Sequence, residues 1–197
     1  MATLDNAIPL ASPARLGRGV LSDAAPAEAG ADAGLVEAAR AGDRAAFGRL
    51  YDRYARVVHG ILLARVPRTE VDDLVQDVFL RAMGQLHSLR DAAFFPGWLC
   101  TIARNRANDF YRRRRPADEL PDALPGKSTA EDAEARAALE AIRALPEAYR
   151  ETLILRLVEG LSGQEIAGRT GLTPGSVRVN LHRGMKLLRE RLGRMES

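Results

Sequence analysis

Six guanidinium groups, Arg104, Arg106 and the run Arg112–Arg115, crowd one short stretch that holds a single acid, Asp109. Phe110 and Tyr111 sit among them. Arginines neutralise phosphates and aromatic rings stack on bases, so this mixture is suited to nucleic acid. Cations near a helix C-terminus are favourable in any helix. Four successive arginines exceed what that effect needs. They point all round a helix, so at least two face DNA and the rest add general attraction.

A second set lies near the C-terminus, in Leu161-Ser-Gly-Gln-Glu-Ile-Ala-Gly-Arg-Thr-Gly-Leu-Thr-Pro-Gly-Ser-Val177. Ser162 and Glu165 have capping-box spacing at a helix start. Gly171 stands where the turn needs positive φ. Thr173 caps the next helix and Pro174 takes its first position. Val177, Leu181, Gly184 and Leu188 form that helix's buried stripe. Ser176, Val179, His182, Arg183 and Lys186 occupy the other side, flanked by Arg178 and Asn180. Two helices joined through such a turn put the second in a DNA major groove. Arg178 and Arg183 suit guanine or phosphate, and Asn180 suits adenine. A helical hairpin with a solvated basic face is the plainer alternative; the agreement of cap, turn and proline favours DNA.

A third set is acidic. Asp73, Gln76 and Asp77 are spaced i, i+3, i+4 and share one helix face, with Phe79 and Leu80 nearby. Such a face receives a basic partner surface or is simply solvated. A metal site needs more converging ligands.

These sets need helices to hold them. From Leu35 the apolar residues recur at helical steps. Asp43 caps a helix whose stripe is Phe47, Leu50, Tyr51, Tyr54, Val57, Val58 and Ile61. Thr69 caps the next, with Val71, Leu74, Val75, Val78 and Ala82 inward. After a loop over Leu86–Pro96, a third helix runs from Trp98 toward Arg115, and Pro116 ends it. A later block has Leu139, Ile142 and Leu145 on one stripe. Pro146 then starts a helix with Leu153, Leu157 and Val158 inward and Gly160 as its stop. No strand alternation and no repeat appear. The expected fold is all-α: two small helical domains joined by a flexible linker, the second containing a helix-turn-helix. The bounds are 1–34 for a flexible N-terminal extension poor in large apolar groups, 35–115 and 130–197 for the domains, and 116–129 for the linker.

Composition excludes much else. One cysteine, Cys100, rules out an internal disulfide framework and a cysteine-rich zinc site. As one thiol beside Trp98 it reads as a buried apolar filler. His59, His87 and His182 are too scattered for a histidine-led centre. No apolar run approaches a membrane span and no secretory signal is evident, so the expected location is cytoplasmic, without membrane insertion. No catalytic residue, metal or cofactor is expected. The net charge of +3 conceals structure: residues 35–115 and 136–197 carry +6 and +4, while 116–135 carry −5. That acidic stretch mimics nucleic acid or shields the basic faces.

In this order, the motifs resemble those of a bacterial RNA polymerase sigma factor of the extracytoplasmic-function group. Asp72-Asp-Leu-Val-Gln-Asp-Val-Phe-Leu-Arg-Ala82 is similar to the segment that docks on the polymerase clamp. Trp98-Leu-Cys-Thr-Ile-Ala-Arg-Asn-Arg-Ala-Asn-Asp-Phe-Tyr-Arg-Arg-Arg-Arg115 is similar to the helix that recognises and opens the −10 element. Leu145-Pro-Glu-Ala-Tyr-Arg-Glu-Thr-Leu153, followed by the helix-turn-helix, is similar to the domain that reads the −35 element. The resemblance implies that Asp73, Gln76, Asp77 and Phe79 contact core polymerase. It implies that the loop from His87 to Phe95 holds a flipped −10 base. Arg104, Asn105, Arg106, Arg112, Arg113, Arg114 and Arg115 would meet the −10 element. Ser176, Arg178, Val179, Asn180, His182, Arg183 and Lys186 would meet the −35 element. Core RNA polymerase and promoter DNA are the implied partners, with an anti-sigma protein as a further one. Val179-Asn180 and Gly184-Met185 depart from frequent family choices, which bears on base preference. Two rivals stay open: a sigma-like decoy for an anti-sigma protein, and a helix-turn-helix regulator with a helical sensing domain. The arginine tract argues against the first and the Asp73/Gln76/Asp77 face against the second.

Overall fold

A computed structural model describes residues 26–113 and 130–195. Every regular element among them is helical: α1 Pro26–Arg40, α2 Arg44–Leu63, α3 Val71–Gln85, α4 Phe95–Arg113, α5 Ala130–Arg143, α6 Glu147–Leu157, α7 Gly163–Thr170 and α8 Pro174–Met195. Three single 3₁₀ turns, Arg68–Glu70, Leu86–Ser88 and Ala92–Phe94, join the early helices. The all-α expectation holds.

The first block forms around α2. Asp43 caps it, accepting from the Ala45 and Ala46 amides at 2.8 and 3.0 Å. Of its stripe, Leu50, Tyr54, Val57, Val58 and Ile61 are buried, packing with α3 and α4, while Tyr51 stays 38% exposed. Tyr54 packs edge-on to Phe95 at 5.4 Å, and Phe79 lies against Tyr51 at 4.6 Å and Phe47 at 6.4 Å. Thr69 does not cap α3 as expected. The chain tightens into the 3₁₀ turn there, and the Val71 amide bonds to the Arg68 carbonyl instead. The loop expected over Leu86–Pro96 also contains structure. Asp91 accepts from the Ala93 amide at 2.9 Å, and α4 starts at Phe95 rather than Trp98.

The flexible extension expected over 1–34 is helical from Pro26 onward. Alanine-rich sequence favours helix, and a buried carboxylate anchors it. Asp32 accepts from the Tyr54 hydroxyl at 2.6 Å and pairs with Arg53. Hydrophobic periodicity gives no warning of such a polar anchor. Residues 1–25, the remainder of that expected extension, and the linker expected over 116–129 lie outside the described residues.

In the second block, Pro146 precedes α6 and its carbonyl accepts from the Tyr149 and Arg150 amides, both at 3.0 Å. Leu153, Ile154 and Leu155 are buried. Leu157 and Val158, expected inward, are each 49% exposed. α6 is covered on two sides, by α8 and by α2, so a single-stripe reading picks the wrong end.

The two blocks are in contact. At the crossing of α2 and α6, a Cβ on Gly60 would meet Leu155 Cδ2 at 2.7 Å and Glu159 Cγ at 3.0 Å, so the approach depends on glycine. The carbonyls ending α2 find partners across the boundary. Arg143 donates to those of Leu63 and Val66 at 3.0 and 2.8 Å, and Arg150 to that of Ala64 at 3.1 Å. Cations at a helix C-terminus satisfy its orphan carbonyls and its dipole.

Candidate nucleic-acid interface

The helix-turn-helix forms by the expected local chemistry. Ser162 Oγ accepts from the Glu165 amide at 3.2 Å, and the Glu165 carboxylate accepts from the Ser162 amide at 2.8 Å. These bonds to Ser162 hold the Glu165 carboxyl below its ordinary range. Gly171 ends α7 with φ +77°, the left-handed conformation that glycine tolerates. Thr173 Oγ1 accepts from the Ser176 amide at 3.1 Å and Pro174 opens α8. Val177, Gly184 and Leu188 face inward, with Leu181 half-buried.

The outer face of α8 presents Ser176, Arg178, Val179, His182, Arg183 and Lys186, all exposed. Val179 is 44% exposed, an apolar group held out among polar ones. Asn180 differs. It is half-buried, and its amide donates to Thr152 Oγ1 at 3.4 Å, tying α8 to α6.

The arginines of α4 divide into two kinds. Asn105, Arg112 and Arg113 are exposed, with Arg112 bonded to Asp109 at 2.8 Å. Arg104 and Arg106 are engaged. Arg106, largely buried, pairs with Asp77 and so ties α4 to α3. Arg104 donates Nε at 3.2 Å and Nη2 at 2.6 Å to Glu151 of α6. The resemblance implied that both meet DNA; the acids that occupy Arg106 and Arg104 are 29 and 47 positions away in sequence. Arg114 and Arg115 lie outside the described residues.

The acidic face of α3 is also mixed. Asp73 and Gln76 are exposed. Burial pushes the Asp77 carboxyl up, but Arg106 and Arg81 outweigh it and hold the group below the ordinary carboxylate value. Phe79, expected on the contact surface, is instead 3% exposed within the core. It follows Val78 and Val75 round to the inner side, and the apolar groups left outside on α3 are Leu80 and Met83, 63% and 51% exposed. Phe94 lies in the loop from His87 to Phe95 implied to hold a flipped base, but sequence reasoning did not single it out. Its ring is 68% exposed at the loop tip while the adjacent Phe95 is buried. Two successive phenylalanines before a helix carried no signal for which would point out.

No helix among the described residues is long and apolar enough to cross a membrane, and none of their His, Cys, Asp and Glu side chains gather as a metal site. Cys100 is fully buried, and burial pushes its thiol up to about 12, which leaves it inert.

Known proteins match along both blocks. The family model for sigma-70 region 2 matches residues 50–117, and that for sigma-70 region 4 matches residues 135–188. RNA polymerase sigma factor CarQ of Myxococcus xanthus is 35% identical over 82% of this chain and 97% of its own length. The ECF RNA polymerase sigma-E factor of Haemophilus influenzae is 31% identical over 82% of this chain and 95% of its own. Among solved structures, CnrH in complex with the cytosolic domain of CnrY has a TM-score of 0.58 at 29% identity, covering 83% of this chain and 97% of that one.

Proposed function

The chain belongs to the sigma-70 family of RNA polymerase sigma factors, in its extracytoplasmic-function group, and from that premise we propose how its surfaces divide the work of promoter-specific transcription initiation. Asp73, Gln76 and Asp77, with Leu80 beside them, dock on core RNA polymerase. Ser176, Arg178, Val179, His182, Arg183 and Lys186 enter the major groove of the −35 element, with Asn180 positioning the helix from behind. Asn105 and Arg112–Arg115 meet the −10 element, joined by Arg104 once it is released from Glu151. Arg106 braces α4 against α3 and stays with Asp77.

The carrying observation is α8: a capped, glycine-turned helix whose polar and cationic side chains are exposed together at its N-terminal half. That is the part of a recognition helix that reaches base edges. Promoter opening costs a few kcal/mol of unstacking. The exposed Phe94 ring offers a stacking surface for an extruded base, and the cationic end of α4 attracts the strand. Holding two elements through one chain raises the effective concentration of each contact, so neither needs to be tight alone. Bond chemistry belongs to polymerase; this family supplies initiation factors rather than enzymes. An anti-sigma protein, implied by the motif resemblance, is a further proposed partner; CnrH was itself solved in complex with the cytosolic domain of CnrY.

Run-off transcription with core polymerase on promoter fragments from the source genome tests the reading. Transcripts whose start sites share −35 and −10 sequences, absent without this chain, are expected. Equal transcription with and without it would sink the proposal.

A further inference from the structure

The N-terminal helix α1 reaches the loop that carries Phe94. Asp32, Val36 and Arg40 are spaced i, i+4, i+8 and lie along one side of the helix. Val36 is fully buried and Asp32 is 4% exposed. Asp32 accepts from the Tyr54 hydroxyl at 2.6 Å and pairs with Arg53, both on α2. Arg40 donates Nε to the Leu86 carbonyl at 3.3 Å. Leu86 opens the loop that ends at Phe95, and the 3₁₀ turn over Ala92–Phe94 packs directly on α1.

That loop has little of its own to hold it. A 3₁₀ turn of three residues closes with few bonds of poor geometry. Here the Phe94 amide donates to the Asp91 carbonyl at 3.1 Å, and the Leu89 amide to the Leu86 carbonyl at 3.3 Å. Packing must supply the rest. Leu89 and Ala92 are buried, and the Phe95 ring is enclosed by Tyr54, edge-on at 5.4 Å, and by Trp98 at 5.9 Å. Successive side chains at a helix start are about 100° apart. Seating Phe95 inward therefore turns Phe94 outward, to 68% exposure.

The seat of Phe95 depends on where the Tyr54 ring lies. Tyr54 is 1% exposed, so its hydroxyl needs a partner inside the protein. Asp32 supplies it. Burial and this bond push the hydroxyl's pKa far up, which keeps it a donor. The bond fixes the far end of the ring, and the ring sets the surface that Phe95 meets. Without that acceptor the ring would tilt toward another partner, and the in-and-out order of Phe95 and Phe94 would be lost.

We propose that Asp32 is a positioning residue for promoter opening: acting through Tyr54 and Phe95, it fixes the turn that presents Phe94 to an extruded −10 base, without touching DNA itself. This rests on the base-capture reading of Phe94 above, and the test lets the two fail separately.

The test uses holoenzyme assembled from core polymerase and the full chain. The probe is a forked copy of a promoter found by run-off transcription. It is duplex through the −35 element with an unpaired non-template −10 strand, and further copies each lack one −10 base. Wild type is expected to lose at least about fivefold in affinity at one abasic position, the size of one stacked base. Phe94→Ala is expected to abolish that loss. Asp32→Ala and Tyr54→Phe are each expected to cut it to less than about twofold, and the double variant to cut it no further. Core-polymerase binding and affinity for −35 duplex are expected to stay as in wild type, which general destabilisation would not allow. Tyr54→Phe keeps the ring and removes one oxygen, so it decides the matter if Asp32→Ala does not fold. Wild-type base dependence retained in either folded variant overturns the proposal. So does a fall in core binding equal to the fall in base dependence. If Phe94→Ala still removes the abasic loss alongside either negative result, base capture survives and only the role of Asp32 falls. If wild type shows no abasic loss, both fall together.

Discussion

Arg104 and Glu151 meet through two hydrogen bonds across 47 positions of chain, joining the first helical block to the second. Burial pushes the Glu151 carboxyl up, but the hydrogen bond and charge of Arg104 and the charge of Arg65 outweigh it and hold the group below its ordinary 4.5. A carboxylate with a lowered folded value stabilises the fold above its unfolded pKa. That contribution disappears as pH falls through the folded one. Wild type is therefore expected to lose stability on acidification below about pH 4.5, in urea titrations at stepped pH. Glu151→Gln should lack that part of the loss. Superimposable acid profiles would mean the contact contributes nothing.

His59 carries the opposite dependence at the same boundary. The hydrogen bond that His59 donates to Glu159 raises its pKa, burial opposes this, the charges of Glu159 and Asp72 assist, and Arg68 opposes. Asp72 lies 4.0 Å from Nε2, and Arg56 also faces Glu159. A group raised above its ordinary 6.5 contributes fully below that value and less as pH rises through the folded pKa. The stability difference between wild type and His59→Gln should be largest in mildly acidic buffer and shrink as pH rises past neutrality. Thermal melts across that range measure it. A constant difference would assign His59 a packing role only.

Asp73 and Asp77 share the proposed docking face, but Asp77 alone of the two also braces the fold through Arg106. Asp73 is exposed, so Asp73→Arg should weaken core-polymerase binding at least about tenfold with the melting temperature unchanged. Asp77 holds Arg106. Asp77→Ala leaves a largely buried guanidinium without its carboxylate, at a cost of about 1–3 kcal/mol. Binding titrations paired with denaturation curves distinguish the two. The same loss of stability in both variants would collapse the distinction.

What sequence made legible was local. The Asp43 cap, the Ser162/Glu165 box, the left-handed Gly171 and the Pro174 start each depend on neighbours within four positions, and each formed as read. Side-chain type also indicated which helix is cationic and which face of α8 is polar. It did not indicate which cations are already taken. Arg104 and Arg106 find their acids on other helices, and Glu151 reads as one more exposed charge until α6 is set against α2 and α4. Phe79 failed for a related reason: on α3 the boundary between the inner and outer stripes falls between Phe79 and Leu80, a single residue apart. Gly60 gave no signal because its role exists only at the crossing with Leu155.

The recognition helix permits the sharpest test, because two adjacent residues on it should behave oppositely. Val179 is held out of the apolar stripe at 44% exposure, where it can only contact solvent or a groove partner. A thymine methyl is the base-edge feature that suits it. Asn180, bonded to Thr152, faces the body of the block. Val179→Ala should leave the melting temperature unchanged and weaken the −35 contact by about 1 kcal/mol, concentrated at one base pair. Asn180→Ala should destabilise the block by about 1 kcal/mol, while base preference at every position is retained. Arg183→Ala should weaken binding and reduce its salt dependence. Binding to a panel of single-base promoter variants at two salt concentrations separates the three. If Asn180→Ala relaxed discrimination at one base pair while Val179→Ala did not, the assignment of these two residues would be reversed.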